Sequence, residues 1–162
     1  MMTILIESLV VCLLFFFFLF VMSRRPMNLL FNYPPAIIER CRSLGLVNED
    51  TQTFGIPHYG EKCSALIVFG IFLGILARTF NGCSTFWEGA IIAYVLWCVV
   101  DWFDAIVLNC MWFCHDKHFI IPGTEDMTEE YHNYWFHIKG GFIGMLLGMP
   151  AALVAGFITI IK

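Results

Sequence analysis

The chain has 162 residues, of which 59% are hydrophobic and only 14% are charged. A soluble domain is about 45–50% apolar and about 25% charged, so this composition is typical of an integral membrane protein. Nine basic residues against 13 acidic ones give a net charge of −4, which excludes the basic surface of a nucleic-acid-binding protein. Seven cysteines, most of them in or beside apolar runs, do not fit a secreted disulfide framework.

Four apolar runs are long enough to cross a bilayer as helices. In the first, residues 3–22, Glu7 precedes the apolar centre and Arg24–Arg25 follow it, which indicates an uncleaved span and not a signal peptide. The link 81–85 is short, so the spans on either side of it are expected to be antiparallel neighbours. The other spans cover about residues 63–80, 86–112 and 138–161. The sequence therefore predicts an all-α integral membrane protein, an antiparallel four-helix transmembrane bundle in which residues 1–162 form a single membrane domain.

Basic residues predict the orientation of these spans. Seven of the nine Lys and Arg residues lie in or beside the polar segments 23–62 and 113–137, whereas Arg78 and Lys162 lie at the opposite ends of the spans. Cytoplasmic loops carry an excess of Lys and Arg, so both polar segments are predicted to be cytoplasmic and both termini external. The expected location is the plasma membrane, with the lipid bilayer as the first partner. Because four short spans enclose little volume, a homo-oligomer or a membrane partner protein is also expected.

The first polar segment contains a short amphipathic helix. Pro34–Pro35 favour a helix start, and Ile37, Ile38, Cys41 and Leu44 fall on one helical side. The pattern predicts a short cytoplasmic interfacial helix that lies on the membrane surface. A connector packed over the bundle fits the same pattern equally well.

The third span carries two carboxylates within an apolar run. At about 100° per residue, Asp101, Asp104 and His115 fall within an arc of about 80°. Buried carboxylates are costly in a bilayer, and two adjacent ones resist joint ionisation, which favours a proton, cation or metal site. The alternative is that both accept hydrogen bonds from Trp, Tyr or backbone groups and only fix helix packing.

The fourth span carries a stripe of polar and then small residues. Asp126 and Glu129 have the spacing of a capping box, which predicts a helix start just after the turn at residues 122–123. If this helix continues into the membrane, one side carries Glu130, Asn133, His137, Gly141, Gly144 and Gly148. Small residues let membrane helices approach closely, so this side is predicted to face the bundle, as is the Gly70/Gly74 pair of the second span. A water-exposed extension with solvated polar residues is the alternative.

These two stripes predict one polar pocket open to the cytoplasm, formed by Asp101, Asp104, His115, Glu130 and His137. Carboxylate and imidazole ligands together suit a divalent transition metal, and without a metal they suit a proton relay. Asn133 and His118 are secondary candidates. So are Cys110 and Cys114, whose C-x3-C-H-x2-H spacing could bind zinc, although small thiols in a membrane helix are more often packing residues.

The motifs leave three functions open. No Walker loop, GxSxG elbow or HExxH motif is present, and five histidines are too few for the histidine boxes of membrane di-iron hydroxylases. The first function is a transport component that binds a cation or proton at Asp101 and Asp104. The second is a metal-dependent membrane enzyme acting on a lipid-like substrate. The third is an accessory subunit whose glycine stripe docks a partner helix.

Overall fold

The regular secondary structure is helical throughout the part of the chain that the computed structural model describes, residues 2–48 and 59–161. The α-helices are α1 (Met2–Ser23), α2 (Pro35–Ser43), α3 (Tyr59–Asn81), α4 (Phe86–Trp102), α5 (Thr128–Tyr131) and α6 (Tyr134–Ile160). A π-helical segment, Phe103–Phe113, continues α4 directly, and short 3-10 helices cover Pro26–Asn32 and Lys117–Phe119.

Four helical stretches are long and apolar enough to cross a membrane. They cover Thr3–Ser23, Ser64–Asn81, Phe86–Phe113 and Thr128–Ile160. The prediction of an all-helical chain with four such stretches is confirmed, which is the pattern of a multi-pass membrane protein. Many large apolar side chains on these helices are exposed, as expected for a surface that lipid would cover.

Helix α6 packs against both α3 and α4, and small residues permit the close approach to α3. A Cβ added at Gly70 would lie 2.6 Å from the carbonyl oxygen of Ala151. One added at Gly74 would lie 2.9 Å from the Cα of Ala155. Real side chains do not tolerate such separations from a neighbouring backbone, so the contact requires glycine at both positions.

The glycine stripe of α6 faces α4 and the π-helical segment. A Cβ added at Gly144 would lie 2.7 Å from the Asp101 Cγ, and one added at Gly148 would lie 2.8 Å from the Trp97 Cγ. The Trp97 Nε1–H also donates a hydrogen bond of 2.9 Å to the Gly144 carbonyl oxygen. This side is therefore covered by another helix of the same chain.

The π-helical segment changes which residues share a side. Its wider turn is visible at its end, where the Cys114 N–H donates to the Asn109 carbonyl oxygen, five residues earlier, at 3.0 Å. In a π-helix each residue rotates about the helix axis by less than the 100° of an α-helix. The positions that a regular α-helix would give to residues beyond this segment, His115 among them, are therefore shifted.

Helix α2 is a packed connector. Ile37, Ile38 and Cys41 are fully buried, in a core that also contains Tyr33 and Phe119. The Tyr33 hydroxyl donates a 2.8 Å hydrogen bond to the Phe119 carbonyl oxygen within this core. The predicted helix is present, but its apolar side packs on protein and not on the membrane surface.

The start of the fourth span also differs from its prediction. Asp126 caps no helix and instead forms an ion pair of 3.0 Å with Arg40. The short α5 ends at Tyr131, and the Asn133 side chain accepts a 3.1 Å hydrogen bond from the Phe136 N–H as the N-cap of α6. The predicted single helix is therefore divided into two. The Asn133 side chain accepts a hydrogen bond from a free backbone N–H in the first turn of α6, and this favours a new helix start at Asn133.

Candidate functional site

A cavity of about 530 Å³ lies between the end of α4, the π-helical segment and the first half of α6. The 3-10 helix Pro26–Asn32 borders it on a further side. Along α6 it extends from Phe136 to Leu147, which is about 16 Å at 1.5 Å per residue. The polar residues that line it are Asn32, Asp101, Asp104, Asn109, His137 and Lys139.

Asp101 and Asp104 both line this cavity. The Asp101 Oδ2 and the Asp104 Oδ1 are buried, and neither has a hydrogen-bond partner among the described residues. A buried acceptor left without a partner costs about 1–3 kcal/mol, and more when it is charged. Folding alone therefore gives no reason to keep two carboxylates here.

The aromatic donors near Asp101 are used elsewhere. The Trp97 indole donates to the Gly144 carbonyl oxygen, the Trp102 Nε1–H lies 3.2 Å from the Met145 Sδ, and the Tyr94 hydroxyl donates to a backbone carbonyl of α6 at 3.4 Å. The alternative in which Trp and Tyr donors hold Asp101 for packing therefore lacks those hydrogen bonds.

Two amides support Asp104. The Asn109 side chain is hydrogen-bonded to the Asp104 carboxylate. The Asn109 Oδ1 in turn accepts a 2.6 Å hydrogen bond from the Asn32 Nδ2, across 77 residues of sequence. The Asp104 Oδ1 remains buried without a hydrogen-bond partner among the described residues.

His137 contributes an imidazole to the same cavity. Its side chain is only 5% exposed, and its Nε2 has no partner among the described residues. The ring packs against Phe113 and Phe136, with centroids 5.5 Å and 5.2 Å away. These contacts and the N-cap at Asn133 fix the position of His137 in the first turn of α6.

The residues that line the cavity and are also exposed are Phe31, Pro35, Lys139 and Leu147, and they form its rim. Phe31 is 49% and Leu147 42% exposed, so part of the rim is apolar. Lys139 lies on the side of the polar segments, near the start of α6. The cavity therefore opens both toward the polar end of the helices and along their apolar sides.

Two predicted pocket residues, His115 and Glu130, lie outside this cavity. The His115 Nε2 is 3.0 Å from the Tyr134 hydroxyl, and its ring lies 5.3 Å from that of His132, at the exposed end of the helices. Glu130 lies on α5, before the break at Asn133. The cavity thus brings together Asp101, Asp104 and His137 and leaves the other two apart.

The secondary metal candidates are dispersed. Cys110 approaches the Tyr134 carbonyl oxygen at 4.0 Å, and the His118 Nε2 lies 2.7 Å from the Ser23 carbonyl oxygen. Burial raises the pKa of the Cys114 thiol to about 12. No three His, Cys, Asp or Glu side chains within the described residues are arranged to hold a metal ion.

Sequence reasoning missed Asn32, Asn109 and Lys139. An amide within the apolar run of residues 102–113 was a signal for Asn109, since polar groups within a span mark functional positions. Asn32 carried no such signal, because its role depends on a contact between distant segments.

Two carboxyl groups and an imidazole around one cavity can exchange protons, or can bind a cation that displaces those protons. Both uses would give their unpartnered atoms a partner. Comparison of the chain with protein-family models, with curated proteins and with solved structures finds no match.

Proposed function

We propose that this protein binds a cation or proton in the cavity between α4 and α6 and moves it as a component of membrane transport. The residues that bind it are Asp101 and Asp104, with His137 as a proton acceptor at the same cavity. The glycines of α6 bring its backbone close enough to α4 for the three groups to share one space.

The observation that carries the proposal is that three residues lining one cavity each have a buried polar atom without a hydrogen-bond partner among the described residues. These atoms are the Asp101 Oδ2, the Asp104 Oδ1 and the His137 Nε2. Ionisable groups within spans are expensive and usually serve a proton or ion pathway. The metal-dependent enzyme has less support, because the described side chains offer no three-ligand metal set.

The membrane frame is part of the proposal. The four apolar helices cross the plasma membrane as an antiparallel bundle, with both termini external and the polar segments cytoplasmic, as the Lys and Arg distribution favours. In this frame His137 and Lys139 lie near the cytoplasmic surface, and Asp101 and Asp104 lie deeper in the bilayer. The cavity then gives protons from the cytoplasm access to both carboxylates.

Proton movement into proteoliposomes tests the proposal. Purified protein is reconstituted with a pH-sensitive dye inside the vesicles, and a potassium diffusion potential drives protons inward. We expect the wild type to acidify the interior and the variant Asp101→Asn/Asp104→Asn to fall to the rate of protein-free vesicles, because an amide does not exchange a proton in this range.

Glu129→Gln is the matched control, since it removes an exposed carboxylate outside the cavity. It should acidify the vesicles at the wild-type rate. Equal rates for the wild type and the double variant, with both proteins folded and reconstituted in equal amounts, would overturn the proposal.

A further inference from the structure

We infer that the ligand of this cavity is a lipophilic organic cation, an amine or quaternary ammonium group with an apolar tail, which enters from the hydrocarbon layer. This inference rests on the proposed function and specifies its substrate class. It is drawn from the size of the cavity, from its apolar rim and from the balance of charge and aromatic groups on its lining.

The cavity is larger than an inorganic cation requires. A cavity measured in the same way holds one water molecule at about 10–15 Å³, whereas this cavity measures about 530 Å³. Cavities of about 300–1,000 Å³ typically hold small organic molecules. The space therefore fits a cationic head group together with part of its tail.

The apolar rim lies at the depth of the hydrocarbon layer. Leu147 is 13 residues into α6, about 20 Å from the start of that helix, and a hydrocarbon core is about 30 Å thick. Leu147 lines the cavity and is 42% exposed, so at this level the cavity borders the outer apolar surface of the helices. In a membrane this opening would meet acyl chains, which a hydrophilic ion avoids and an apolar tail favours.

The lining selects for positive charge. Two carboxylates outnumber the single Lys139, which is exposed at the rim and can extend its ammonium group away from the cavity. Phe31 and Phe136 also line the space, and aromatic faces attract alkylammonium groups. An anionic head group would instead meet Asp101 and Asp104 without a matching set of donors.

Binding of dodecyltrimethylammonium tests the inference. Purified full-length protein is placed in lipid nanodiscs, and equilibrium dialysis measures binding of the labelled probe after subtraction of binding to empty nanodiscs. We expect saturable binding to the wild type and to Glu129→Gln, and a Kd weaker by at least about tenfold for Asp101→Asn/Asp104→Asn. Tetramethylammonium, which has the same head group without the tail, should also bind at least about tenfold more weakly.

The outcomes separate this inference from the proposed function. Proton movement that depends on Asp101 and Asp104, with no saturable binding of dodecyltrimethylammonium, would overturn the substrate class and leave the proposed function standing. Binding that the double variant retains in full would place the probe elsewhere and overturn the inference. If tetramethylammonium binds as tightly as dodecyltrimethylammonium, the apolar tail does not contribute to binding, and the inference that the ligand enters from the hydrocarbon layer is overturned. If neither proton movement nor binding depends on the two carboxylates, both proposals fail.

Discussion

Gly74→Leu should lower the unfolding free energy by about 3 kcal/mol or more, because it forces α3 away from α6. The nearest atoms to a Cβ at this position are the Cβ of Ile158 at 2.7 Å and the Cα and carbonyl oxygen of Ala155, both at 2.9 Å. A rotamer change does not move the backbone of Ala155, so the helices must separate. Thermal unfolding in detergent, followed by far-UV circular dichroism, measures the effect.

Gly140→Leu is the matched control for this substitution. Gly140 lies on α6 and has open space where a Cβ would be placed, with nothing within 4 Å. The same change in side-chain volume should therefore leave the unfolding temperature close to that of the wild type. If both leucine variants unfold at the same temperature, the close packing of α3 on α6 is not what holds the bundle.

Asp101→Asn and Asp104→Asn should each leave the protein at least as stable as the wild type, with a gain of up to about 2 kcal/mol. The reason is that each carboxylate has a buried oxygen without a partner in the described part of the chain, and an amide is neutral and costs less to bury. Thermal unfolding in detergent compares the stability of each variant with that of the wild type. Unchanged or increased stability after substitution is expected of a residue that serves binding and not folding.

Thr124→Val is the comparison variant, because it removes a buried polar group that is hydrogen-bonded within the fold. Thr124 is fully buried, and its hydroxyl donates to the Ile121 carbonyl oxygen at 2.8 Å and lies 2.7 Å from the Tyr131 hydroxyl. Removal of this hydroxyl should cost about 1–3 kcal/mol. A loss of similar size in the two aspartate variants would mean that Asp101 and Asp104 hold the fold together, and it would contradict their assignment to a binding site.

The four long helices could be predicted from the sequence because membrane thickness sets the length of a spanning helix. Each apolar run has that length by itself, without reference to the rest of the chain. The inward direction of His137 was also accessible, since Gly141, Gly144 and Gly148 continue its side of the helix and close packing requires small residues. Both inferences depend on local sequence and on a regular helical period.

What escaped prediction depends on deviations from that period and on distant contacts. The π-helical turn after Trp102 and the new helix start at Asn133 both interrupt a regular α-helical side, and they separate His115 and Glu130 from the cavity. The support of Asp104 by Asn109 and Asn32 joins segments 77 residues apart. No pattern within one span contains that contact.

Labelling with dicyclohexylcarbodiimide tests the cavity most directly. This lipophilic reagent enters the hydrocarbon layer and adds to carboxyl groups that it can reach from there, and tandem mass spectrometry locates the adduct. In membranes containing the wild-type protein, the adduct should form on Asp101 or Asp104, and dodecyltrimethylammonium should slow its formation. Adducts confined to exposed carboxylates such as Glu129, with Asp101 and Asp104 unmodified, would contradict a cavity that exposes these two side chains to a ligand from the membrane.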